Sequence, residues 1–128
     1  MSTLSSYSTG AFHEMKVALH YLGTGCQVFW PAVRNGPVDL VVEKHGALFR
    51  VQVKTGTWVR SGAFSYLQCR IRSGNEKVTA QSGHYDLVAV VFGDELWEIP
   101  ANLIFSTNIC LRGSRPGRKP EAWEQFKV

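Results

Sequence analysis

The sequence predicts an α/β domain built on a central mixed β-sheet flanked by helices. Three observations carry this expectation. A two-faced helical stretch near the start precedes several short runs rich in β-branched and aromatic residues. Turns containing Gly, Pro or Asn separate many of those runs. The chain is 45 % apolar and 19 % charged, the balance of a sequence that folds around a core. Its 128 residues fit a single domain, 1–128, with residues 1–9 expected as a flexible N-terminus.

The elements follow in order. In residues 11–22, Ala11, Met15, Ala18, Leu19 and Leu22 recur at helical spacing. Ser8 or Thr9 can cap this helix, and Gly23-Thr24-Gly25 ends it. Residues 27–33 (QVFWPAV) read as a strand despite Pro31. After the turn Arg34-Asn35-Gly36-Pro37, residues 38–43 (VDLVVE) read as a second strand. A turn at 44–47 then joins it in a hairpin to a third, 48–55 (LFRVQVKT). Residues 56–71 suggest a second hairpin rather than a helix, with a strand at 64–71. Strands are also expected at 85–92 and 95–99, and the run 85–91 has the character of a buried central strand. Residues 73–83 are polar, with room for a short helical turn. Residues 112–120 (RGSRPGRKP) read as a basic loop, and 120–126 as a short closing helix with Pro in its first turn.

Fourteen Lys and Arg against ten Asp and Glu give a net charge of +4, a mild excess that suits a polyanionic partner. The cysteines Cys26, Cys69 and Cys110 are odd in number and form no CxxC pair. That argues against a disulfide framework and a structural zinc site, and for small core thiols in a reducing cytoplasm. The start lacks the apolar core of a signal peptide, and no run is long enough to span a bilayer, so no membrane role is expected. His13, His20, His45 and His84 show no ligand spacing and read as surface or DNA-facing residues. Asp86 reads as a turn or interface residue. Trp30, Trp58, Trp97 and Trp123 read as core or interface anchors, with Trp58 in a loop beside the site as the exception.

The chemistry gathers around the third strand. Alternate side chains of a strand share a face, so Val51 and Val53 point to the core while Gln52 and Lys54 point together to the other side. A hairpin with the preceding strand brings Asp39 near that end. Asp39, the Gln52 amide oxygen and the Val53 backbone carbonyl make an oxygen donor set suited to a hard cation such as Mg²⁺, with Mn²⁺ a possible substitute. Lys54 is placed to orient water or stabilise charge on a phosphate. Glu14 has Ala11, Val17, Ala18 and Tyr21 as helical neighbours, an apolar setting in which a carboxylate needs a cation or the lysine.

The order of a helix with Glu14, then Pro37-Val38-Asp39, then Gln52-Val53-Lys54 resembles the PD-(D/E)xK nuclease superfamily. An extra Val separates Pro37 from Asp39, and Gln stands where the acid of the tripeptide is usual. The phrases VDLVV and VQVKT, Ile99-Pro100 and the closing EAWEQF look most like the QxK branch, which contains group I intron homing endonucleases and related phage proteins. The resemblance implies a restriction-endonuclease-like core and catalytic roles for Glu14, Asp39, Gln52 and Lys54. It implies metal ligation by Asp39, Gln52, Val53 and Glu14, double-stranded DNA as substrate, and a homodimer or homotetramer.

The expected function is therefore metal-dependent hydrolysis of DNA phosphodiesters, with site-specific double-strand cleavage foremost. A structure-selective nuclease resembling Holliday-junction resolvases and an inactive DNA-binding module are the alternatives. Arg60, Arg70, Arg72 and Lys77 form one basic set, and Arg112, Arg115, Arg118 and Lys119 another, both suited to phosphate contact. Phe64, Tyr66, Trp97 and Trp123 are candidates for an interface between copies.

Overall fold

The computed structural model describes residues 5–33, 36–71, 80, 83–117 and 122–128. Helix α1 spans Ser6–Gly23. Seven strands follow: β1 Gln27–Phe29, β2 Leu40–Lys44, β3 Ala47–Ser61, β4 Phe64–Arg70, β5 Leu87–Phe92, β6 Glu95–Pro100 and β7 Asn108–Gly113. Short 3-10 turns lie at Ala101–Leu103 and Glu124–Phe126.

The helix begins earlier than its spacing suggests. Ser5 is the cap, its hydroxyl accepting the Ser8 N–H at 3.2 Å, and Gly10 lies within the helix. A serine in extended conformation satisfies an otherwise orphaned N–H, which favours the start here. This corrects the expected flexible 1–9, since 5–9 form the cap and first turn; residues 1–4 lie outside the described part. The buried line is also different. Val17, Ala18 and Tyr21 are buried, whereas Met15, Leu19 and Leu22 of the expected stripe are exposed. The line with Tyr21 docks because its hydroxyl finds a partner, donating to Glu98 Oε2 at 2.7 Å, and Lys44 Nζ binds the same carboxylate at 2.9 Å.

The sheet is mixed. Strands β1-β2-β3-β4-β7 pair antiparallel in that order, β5 runs parallel to β3, and β6 pairs antiparallel with β5. In β5 every residue but Phe92 is buried, and successive side chains alternate between two cores, as expected of a strand covered on both faces. Leu87, Ala89 and Val91 join Val17, Tyr21, Leu40, Val42 and Val51 beneath α1. Val88 and Val90 join Leu67, Trp97, Ile99, Ile109 and Leu111 on the opposite side. One face is thus covered by a helix and the second, among the described residues, by strands.

β3 makes this possible by belonging to both layers. Residues 47–55 pair with β2 and β5, and residues 56–61 pair with β4. Gly56 is the corner: a Cβ there would lie 3.2 Å from Phe92 Cβ and 3.4 Å from Leu67 Cδ1. Gly113 ends β7 at φ +82°, where a Cβ would press onto the Ser65 carbonyl, so only glycine fits.

Several boundaries differ from the sequence reading. Residues 30–33 lie outside β1, whose pairing with β2 runs from Gln27 to Phe29. Residues 56–61, including Trp58, are strand rather than loop. β7 is absent from the sequence reading and takes Arg112 and Gly113 out of the expected loop. The expected helix at 120–126 is, among the described residues, a single 3-10 turn. The expected turn at 73–83 lies largely outside the described residues. No described helix is long and apolar enough to cross a membrane.

Candidate active site

The site grows from the place where β2 begins. Its first main-chain pair is Leu40 with Val51. One residue earlier, the Asp39 N–H donates to the Val51 carbonyl at 2.9 Å. The Asp39 carboxylate then takes over from the main chain, with Oδ2 accepting the Val53 N–H at 2.7 Å. A strand residue turns its N–H and C=O to the same edge, so the Val53 carbonyl faces the Asp39 side as well. Val51 is fully buried beneath α1, while Gln52 and Lys54 are half-buried.

α1 brings the second acid. The Glu14 carboxyl lies within hydrogen-bond reach of Asp39 and adds its charge beside it. The Asp39 carboxyl is pushed up to about 6, first by burial and further by Glu14, against the opposing pull of the Val53 N–H and the Lys54 ammonium. A cation beside Asp39 would offset the penalty that burial and the neighbouring Glu14 place on its charged form. Lys54 acts in a second direction too: its charge opposes the burial that drives the Cys69 thiol up to about 12. Lys54 therefore stands between the acidic pair and β4.

The donor set fits a hard divalent cation. Glu14, Asp39, the Val53 carbonyl and the Gln52 amide offer oxygen only, the preference of Mg²⁺ and its relatives. Among the described residues no group of three or more His, Cys, Asp or Glu could hold a metal, so Val53 and Gln52 must complete any set built on the two acids.

One pair at this site was not legible beforehand. His13 Nδ1 and Thr55 Oγ1 are 2.8 Å apart, tying the residue before Glu14 to the residue after Lys54. The signal was adjacency: each follows or precedes a candidate acid or base in sequence. The His13 imidazole is held below its ordinary pKa, chiefly by burial and then by Lys16.

The remaining candidates scatter. Arg60 and Arg70 are exposed near the two ends of the β3–β4 hairpin. Arg115 is half-buried. Arg112 is committed elsewhere: its guanidinium binds Glu95 at 2.9 Å and Glu124 at 3.1 Å, and both raise its pKa. That makes it a brace between β7, β6 and the C-terminal turn rather than an open phosphate ligand. Arg72, Lys77, Arg118 and Lys119 lie outside the described residues. Asp86 has a structural role, paired with Arg50 at 3.0 Å and accepting the Arg50 N–H at 2.8 Å. All three cysteines are free, with Cys69 and Cys110 buried. Trp97 is fully buried in the strand-covered core, which removes it from the interface candidates; Phe64 is exposed, and Tyr66 and Trp123 are half-buried.

A mixed sheet backed by a helix, with acid and lysine at the rim of two neighbouring strands, is the architecture of a restriction-endonuclease-like nuclease. A model of the PD-(D/E)XK endonuclease family matches residues 4–122, and the chain belongs to that family. It is 35 % identical over 88 residues to Protein 5.3 of Escherichia phage T7, covering 69 % of this chain and 74 % of that protein. The fold superposes on the bacterial homing endonuclease I-Ssp6803I with a TM-score of 0.74, covering 98 % of this chain and 88 % of that one. At 16 % identity that likeness is one of fold.

Proposed function

We propose that this protein is a metal-dependent DNA endonuclease that hydrolyses phosphodiester bonds at Glu14, Asp39, Gln52 and Lys54, with site-specific double-strand cleavage of the homing type. The observation that carries the reading is the contact of Glu14 with Asp39 beside the Val53 carbonyl, which concentrates oxygen donors at one strand end. Family membership and the fold shared with a homing endonuclease support it.

Asp39, Glu14, Gln52 and the Val53 carbonyl would hold Mg²⁺, or Mn²⁺ in its place. When bound, the cation supplies Lewis acidity at the phosphate and a more acidic water. Asp39 is fixed by the Val53 N–H, so its second oxygen is held towards the site. Lys54 hydrogen-bonds the attacking water or a non-bridging phosphate oxygen and stabilises the negative charge that builds there. The water oxygen bonds to phosphorus as its proton passes to solvent, the P–O bond to the leaving strand breaks, and the departing oxygen takes a proton from solvent. Arg60 and Arg70, with the basic residues beyond the described part, contact phosphates and position the duplex. Double-strand cleavage calls for two or four copies, each acting on one strand. The free thiols fit a reducing cytoplasm.

The test is cleavage with Mg²⁺ or Mn²⁺ of three DNAs: plasmid, linear duplex carrying the gene's own flanks, and a four-way junction. Cutting of the flank duplex that disappears in Asp39→Ala and Lys54→Ala is expected. Preference for the junction would replace homing by junction resolution. Tight binding without cutting of any DNA would leave only a DNA-binding module.

A further inference from the structure

α1 is apolar on two opposite sides. Val17 and Tyr21 face the sheet and are buried, yet Phe12, Met15, Leu19 and Leu22 are 49 %, 51 %, 63 % and 55 % exposed. At about 100° per residue these four fall within an arc of roughly 80°, centred some 160° from the Val17–Tyr21 line. They repeat at the alternating three- and four-residue steps of a helix-pairing seam. An exposed apolar stripe opposite the buried one marks a surface suited to docking.

We propose that a second copy of this chain docks on this outer face, α1 against α1, antiparallel about a two-fold axis near Val17. The seam is self-complementary in that sense. Its steps read the same from either end, so Phe12 of one copy meets Leu22 of its partner and Met15 meets Leu19. Antiparallel helices also set their dipoles in the favourable sense.

Charge and area both favour a second copy. The chain carries +4 overall, but the seam itself carries none, so like chains approach there without repulsion. Lys16, the cation beside the seam, is drawn aside, its Nζ donating to the Gly93 carbonyl at 2.8 Å and lying 4.8 Å from the Phe12 ring centroid. Lys16 is the one lysine or arginine in α1, whereas a helix built for a lipid surface is rich in them. Four side chains, each leaving on the order of 100 Å² uncovered, with the small residues between them, offer roughly 500 Å² per copy. Pairing hides about 1,000 Å² in all, which reaches the lower limit for a specific interface.

The inference stands on the helix and not on the nuclease reading, so either can fail without the other. Sedimentation equilibrium of the full chain at micromolar concentration is expected to give an even number of copies. Leu19→Lys is expected to weaken that association at least about 30-fold, with helical circular dichroism unchanged and Tm no longer dependent on protein concentration. In a Cys26→Ser background, Phe12→Cys mixed with Leu22→Cys should cross-link under mild oxidation, while each alone should not; this pair decides the matter even if Leu19→Lys misfolds. A wild-type monomer, an assembly indifferent to Leu19→Lys, or Phe12→Cys cross-linking to itself would overturn the proposal.

Discussion

Residues 47–51 of β3 pair with β2 and residues 51–55 with β5, whereas residues 56–61 of the same strand pair, among the described residues, with β4. The inner stretch buries Val51 fully and keeps Gln52, Val53 and Lys54 half-buried. The outer stretch exposes Trp58 and Arg60. Every group with candidate chemistry on β3 is in the inner stretch, and the reach towards a large ligand is in the outer one. Around Val51, where β2, β5 and α1 meet and Asp39 carries the β2 edge on to Val53, side chains are held to a narrow set of positions, which catalysis demands. A strand flanked on one side tolerates adjustment, which suits contact with a long polyanion.

The contrast is tested most sharply at Lys54. Lys54→Ala should lower single-turnover cleavage by about 10²–10⁴-fold while leaving DNA affinity within a few-fold, measured by gel assay and anisotropy. A parallel loss of affinity would mean that the inner stretch also serves binding. Next comes the corner. Gly56→Val forces a branched side chain against Phe92 and Leu67, and should lower stability by about 1–3 kcal/mol, read as a shift in urea midpoint at constant slope.

The third effect is on pH. Asp39 has its folded pKa raised to about 6, above the ordinary value of 3.8. Its contribution to stability is therefore complete below the unfolded value and is lost as pH rises through about 6. In the metal-free protein, Tm should fall between about pH 4 and pH 6.5, and Asp39→Asn should flatten that fall. Divalent cation should bind more weakly as pH drops below about 6, because proton and metal compete for one carboxylate. Calorimetric titration with Mg²⁺ at the two pH values checks it. The smallest effect belongs to the outer stretch: Arg60→Ala should weaken binding to all sequences alike and reduce the salt slope by about one.

The site was more legible than its surroundings. Strand periodicity alone puts Gln52 and Lys54 on one face, and a short hairpin leaves little freedom over where Asp39 lands. Glu14 was readable as an acid among apolar neighbours in need of company, and it lies beside Asp39. What escaped the sequence depends on partners distant in the chain. Two apolar lines run along α1, and the Tyr21–Glu98 hydrogen bond, between residues far apart in sequence, favours the inner one. Gly56 looks like a turn residue until Leu67 and Phe92 are brought against it. β7 has too short an apolar run to announce itself, and becomes a strand because β4 offers an edge. Arg112 reads as one of a basic cluster until Glu95 and Glu124 enclose it.

β3 is a single fifteen-residue strand, and the chain does not break where it passes from one layer to the other. At about 3.3 Å per residue, Arg60 and Lys54 stand on the order of 20 Å apart on one continuous beam. No loop lies between them to absorb a push. A duplex gripping the hairpin tip would load the same backbone that carries Lys54, so the proposed contact at Arg60 and the proposed chemistry at Lys54 would share one mechanical element.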